Sequence, residues 1–123
     1  MKALRHYTLS LMFAAAALAG GNAAWAHAAL QRASPAKDAE VTTAPTEIIL
    51  QFNEKLEAAF SSAKLLDSSG KEVSSEKAML DAANPSVMKL AIPALAAGTY
   101  KVEYVGVGHD GHRRKGNYVF TVK

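Results

Sequence analysis

The chain has 123 residues, 50% of them hydrophobic, with 14 Lys and Arg, 11 Asp and Glu, and no cysteine. That length suits one small domain, and the missing cysteine excludes disulfides and thiolate metal sites, so a bound metal would need nitrogen, oxygen or thioether donors. Lys2 and Arg5 are the only cations before residue 27, which leaves 12 cations against 11 acids beyond it, a formal charge of +1 that argues against nucleic acid as a partner.

Residues 1–26 read as a secretory signal peptide. Lys2 and Arg5 make a positive start, residues 9–20 are mostly apolar, and Ala24-Trp25-Ala26 offers small side chains at the −3 and −1 positions of a cleavage site. The apolar run is about a dozen residues, short of the roughly 20 that span a bilayer, so the processed protein is not expected to be membrane-embedded. Cleavage after Ala26 makes His27 the first residue of a 27–123 domain. Ala26-His27-Ala28 also satisfies the small-x-small rule, and cleavage there would delete His27. A histidine at a free N-terminus offers an amine and an imidazole to one ion as a chelating pair.

Beyond residue 27 the pattern is that of an all-β domain. Residues 47–52 (Glu-Ile-Ile-Leu-Gln-Phe), 62–66, 87–92, 99–105 and 118–122 are rich in strand formers, the last two with clear period-two alternation. Residues 71–75 are placed to pair back on 62–66 across Asp67-Ser68-Ser69-Gly70. Residues 56–60 suit a single helical turn, and 75–83 are helix-prone. Six or seven short strands separated by turn signals predict a Greek-key β-sandwich or barrel.

The chemistry gathers in His109-Asp110-Gly111-His112, between the two clearest strands. Two readings stand. Asp-Gly is a strong hairpin signal, on which the histidines are solvated loop residues. Alternatively, Asp110 and His112, two residues apart in an extended segment, point to one side and ligate together. With the amine and imidazole of His27 they make three nitrogens and one oxygen. That donor set suits the tetragonal preference of Cu(II) better than the tetrahedron of zinc. His109, of the opposite parity, is expected to be a bystander.

The whole layout resembles the periplasmic copper resistance protein C (CopC) family. The likeness runs through the His-Ala-x-Leu start at His27, Ser34-Pro35, Leu50-Gln51-Phe52-Asn53-Glu54, the stretch 60–65, Gly98-Thr99-Tyr100-Lys101-Val102, and Asp110-x-His112. The resemblance implies a seven-stranded Greek-key barrel of cupredoxin-like or immunoglobulin-like shape. It further implies Cu(II) held by His27, Asp110 and His112, with Glu54 as a supporting partner near the ion. A periplasmic location, a role in copper sequestration or delivery, and an inner-membrane partner of the CopD type follow from the same resemblance.

Two features depart from that pattern. Beyond residue 27 only Met79 and Met88 remain of the methionines, which makes a poor thioether site for Cu(I). Arg113, Arg114 and Lys115 follow His112 where the family often has proline, and cations beside a cation site suggest an acidic partner. No nucleophile–base pattern or phosphate-binding glycine loop is present, so the expectation is a binding protein and not an enzyme. The competing classes are a metal-free immunoglobulin-like interaction module and a small copper oxidase built on an N-terminal histidine chelate.

Overall fold

The computed structural model describes residues 28–123. The signal-peptide reading of residues 1–26 and the metal-ligand role of His27 lie outside the described residues.

Eight strands form two four-stranded sheets. The first sheet holds β1 (Leu30–Ser34), β3 (Glu47–Phe52), β6 (Val87–Ala91) and β5 (Met79–Leu80), in the order β1-β3-β6-β5. The second holds β2 (Glu40–Val41), β8 (Arg113–Val122), β7 (Gly98–Val107) and β4 (Ser62–Leu66), in the order β2-β8-β7-β4. The chain passes from β3 to β4, back through β5 and β6, and over again to β7 and β8. That alternation between sheets is the expected Greek-key β-sandwich.

Alternating side chains build the core between the sheets. Ile48, Leu50 and Phe52 of β3 and Met88 and Leu90 of β6 face Leu65, Tyr100, Val102, Tyr118, Phe120 and Val122 from the other sheet, all of them buried. Tyr100 and Phe120 stack at 5.8 Å between ring centroids. Phe52 meets Tyr104 edge-on at 5.7 Å. A side chain at Gly106 would put its Cβ 2.9 Å from the Phe52 ring, so glycine there lets β7 close over the aromatic.

The strands expected at 47–52, 62–66, 87–92 and 99–105 are present within two residues of those bounds. The one expected at 118–122 begins five residues earlier, at Arg113, and takes in the cations read as a loop tip. The turn at 56–60 is also present, closed by Phe60 and Ser61 N–H groups donating to the Glu57 carbonyl. Residues 71–75 pair back only briefly. Asp67 N–H donates to the Lys71 carbonyl and Val73 N–H to the Leu65 carbonyl, after which the Ser74 hydroxyl, in place of a backbone group, accepts from Leu65 N–H.

The helix-prone reading of 75–83 is overturned. The segment is extended, with Met79 and Leu80 paired to β6, and it ends where Asp81 Oδ1 accepts the Ala83 and Asn84 N–H groups. That side-chain turn competes with helix in a segment too short to hold helix alone. Strand β1 was hidden by its own irregularity. Its register on β3 shifts between Leu30 and Arg32, so Leu30 and Ala33 both turn inward and the period-two signal is lost.

Candidate metal centre

Strands β7 and β8 pair along their full length, from Gly98 opposite Val122 to Val107 opposite Arg113. Residues 108–112 close the hairpin at one end of the sandwich. Gly111 N–H donates to the Gly108 carbonyl, and Gly111 sits at φ 76°, a conformation that favours glycine. The hairpin reading of Asp-Gly is therefore right, and it does not exclude the ligand reading. Asp110 and His112 meet through the turn and not through strand parity. Asp110 Oδ1 accepts the His112 N–H at 3.0 Å, and Asp110 Oδ2 lies 3.1 Å from His112 Nδ1.

That second spacing has chemical content. A carboxylate oxygen and a ring nitrogen bound at about 2.0–2.1 Å and at right angles around one ion are separated by roughly 2.8–3.0 Å. The pair is thus arranged either to share a proton or to flank an ion with little movement. His109 turns elsewhere, and its Nδ1 lies 2.8 Å from Glu57 Oε1. Both partners are substantially exposed, so the contact holds the loop only weakly.

The loop rests on the end of β3 and the turn that follows. Leu56 forms an isolated bridge with Gly108, Glu57 N–H donates to the Val107 carbonyl, and Val107 N–H donates to the Ser61 hydroxyl. Glu54 lies directly beneath. A Cβ at Gly108 would overlap the Glu54 carboxylate, so the missing side chain of Gly108 is what admits it. Glu54 Oε1 is buried and has no hydrogen-bond partner among the described residues. A buried carboxylate oxygen without a donor is costly, and it is satisfied by an N–H group or a positive charge arriving beside it.

Ala28, the residue joined to His27, is wholly buried at this same end. Ala29 N–H donates to Asn53 Oδ1 at 2.8 Å, and Asn53 N–H returns a bond to the Ala29 carbonyl at 3.0 Å. The start of the described chain is therefore tied to the residue before Glu54. Sequence reasoning overlooked Asn53 and Gly108 in these roles. Asn53 sat inside a recognisable Leu-Gln-Phe-Asn-Glu stretch, whereas nothing local links Gly108 to a carboxylate 54 residues earlier.

Among the described residues, no three His, Asp or Glu side chains converge as a complete metal site. Asp110 and His112 bring two candidate donor atoms together, and a complete site would need a third from elsewhere. The methionines do not provide it: Met79 is 73% exposed on β5, while Met88 is buried in the core. No helix among the described residues is long and apolar enough to cross a membrane.

Comparison with known proteins adds a consistent picture. Residues 30–123 match the CopC domain family. The chain is 42% identical over 108 residues to copper resistance protein C of Escherichia coli, covering 81% of this chain and 84% of that one. It resembles the crystal structure of CopC from Methylosinus trichosporium OB3b with a TM-score of 0.74 and 39% identity, over 79% of this chain and 94% of that one. It also resembles PcoC, described as a methionine-rich copper resistance protein from Escherichia coli, with a TM-score of 0.70 and 37% identity, over 79% and 99% of the two chains.

Proposed function

The chain belongs to the CopC family, and from that membership we propose that it is an exported, periplasmic Cu(II)-binding protein that sequesters copper or hands it on. Copper is its cargo. The ligands in this reading are the amine and imidazole of His27, a carboxylate oxygen of Asp110 and an imidazole nitrogen of His112, with Glu54 supporting them from below. A CopD-type protein of the inner membrane is the proposed recipient.

The observation that carries the reading is the 3.1 Å spacing of Asp110 and His112 on a loop pinned above a buried, unpartnered Glu54 oxygen. A nitrogen and oxygen donor set favours Cu(II) over Cu(I), and the separated methionines support the same preference. Glu54 suits an N–H donor or the ion's own charge. The reading is one of binding and not turnover, because a carboxylate and an imidazole set together on a loop suffice to hold an ion. A peroxide-dependent oxidation assay on the copper-loaded protein separates the two, and oxidation of a polysaccharide would count against this assignment.

The direct test is the intact mass of the exported protein with and without added Cu(II). The reading predicts a first residue of His27 and one copper per chain. A processed protein that lacks His27, or that binds no copper, contradicts it.

A further inference from the structure

Where the function proposed above is delivery, the ion is given up as well as bound, and the residues that follow His112 bear on what receives it. Arg113, Arg114 and Lys115 open β8, and all three are exposed. None has an ion-pair partner among the described residues, whereas Lys64, Lys89 and Lys123 each lie within 3.5 Å of a carboxylate oxygen. Of the acids around these cations, Glu54 lies beneath Gly108 with its Oε1 buried, Glu72 accepts from the Ser74 hydroxyl, and the others are paired. Glu57 meets His109, Asp110 meets His112, and Glu103 meets Lys64. Across the ladder the three cations face Val107, Gly106 and Val105, which bring no charge.

On its other side, β8 pairs with β2 only at Thr121 and Val122, so residues 113–117 form an open edge. Charged side chains on such an edge discourage unwanted strand pairing. Here three successive residues put charge on both faces of the strand. Arg113 and Lys115 line a groove with Lys64, Glu72 and Glu103. Unpaired cations add nothing to the affinity of a neighbouring cation site. What they supply is attraction for an anion, over a range of about 8 Å at physiological salt.

We propose that Arg113, Arg114 and Lys115 are the docking surface for a carboxylate-bearing face of the protein that takes copper from this chain. A protein fits better than a lipid surface. The charge beyond residue 26 is only +1, and Glu57, Glu103 and Asp110 lie among the cations, so a continuous anionic plane would meet both signs. Discrete carboxylates can match each guanidinium in turn, which steers encounter and sets orientation.

The test uses exported protein loaded with Cu(II), its loading confirmed by intact mass, and two acceptor peptides. Both carry the same chelating head, Gly-Gly-His-Trp, and differ only in a tail of Glu or Lys residues. The single tryptophan of the chain is Trp25, before the cleavage site, so quenching of the peptide tryptophan reports transfer. The Glu-tailed peptide is expected to take copper roughly tenfold faster at low salt, an advantage that shrinks steeply as salt is added. The R113Q/R114Q/K115Q variant is expected to abolish the difference while still binding Cu(II). Equal rates for the two peptides with wild-type protein, or an advantage that survives in the variant, overturn the proposal. So does sedimentation of the protein with phosphatidylserine vesicles that depends on these three residues. Protein that holds no Cu(II) overturns the proposed function together with this inference, whereas loaded protein with unbiased transfer overturns this inference alone.

Discussion

At the scale of single residues, the two loop histidines have different surroundings and so different expected effects. His112 shares a turn with Asp110, while His109 meets Glu57 on the other side of the loop. Partners that only orient a ligand typically account for 10–100-fold in metal affinity, so if His112 is a ligand as proposed, H112A is expected to weaken Cu(II) binding by more than about a hundredfold. H109A should change it by only a few-fold. Equal losses in a competitive Cu(II) titration would show that the wrong histidine has been assigned. Glu54 makes a sharper case, because its buried oxygen has no partner among the described residues. In E54Q the free protein should be no less stable, while Cu(II) affinity drops by roughly tenfold. Thermal unfolding and titration read the two effects separately, and lower stability with unchanged affinity would assign Glu54 a purely structural part. G108A should displace the carboxylate by overlap and destabilise by about 1–3 kcal/mol. The Asp110–His112 pair was legible in the sequence because two residues suffice to define it. The seat of Glu54 was not, since it depends on contact between chain positions 54 and 108.

At the scale of elements, legibility followed the regularity of the alternation. Strands β3, β7 and β8 each bury one face, and their patterns were plain. Strand β1 was obscured by its bulge, and the two-residue strands β2 and β5 are too short to carry a pattern. The segment 75–83 misled because local helix preference lost to the side-chain turn of Asp81 and to pairing on β6. That turn is also tied to β6 by an ion pair, with Lys89 Nζ 3.0 Å from Asp81 Oδ2. The hydrogen bond from Lys89 is the largest cause holding the Asp81 carboxyl below its ordinary range, and the same bond raises the Lys89 ammonium. A lowered Asp81 contributes stability above the ordinary carboxylate range, about pH 4, and that contribution is lost as pH falls through its lowered value. The raised Lys89 contributes below the ordinary lysine range and loses its part as pH rises through its raised value. D81N should therefore flatten the acid limb of a plot of melting temperature against pH. An acid limb unchanged in D81N would show that the pair does not contribute in solution.

At the scale of the whole molecule, two sheets close around one apolar core and leave the ends of β3 and the β7–β8 hairpin side by side. The general architecture was legible because strand count, turn spacing and composition all pointed one way. The arrangement of strands into sheets rests on long-range pairing that no local pattern encodes. The proposed function depends on the same convergence, since the loop pair brings two candidate donors together and the proposed site needs the amine and imidazole of His27 to complete it. The most direct measurement is the Cu(II) affinity of protein beginning at a free His27, set against the same protein with one additional residue before it. On the proposed site, blocking the amine removes a nitrogen ligand and the chelate ring, so the extended protein is expected to bind more weakly by over a hundredfold, as for any lost ligand. Equal affinities would contradict the N-terminal chelate and, with it, the copper site proposed for this chain.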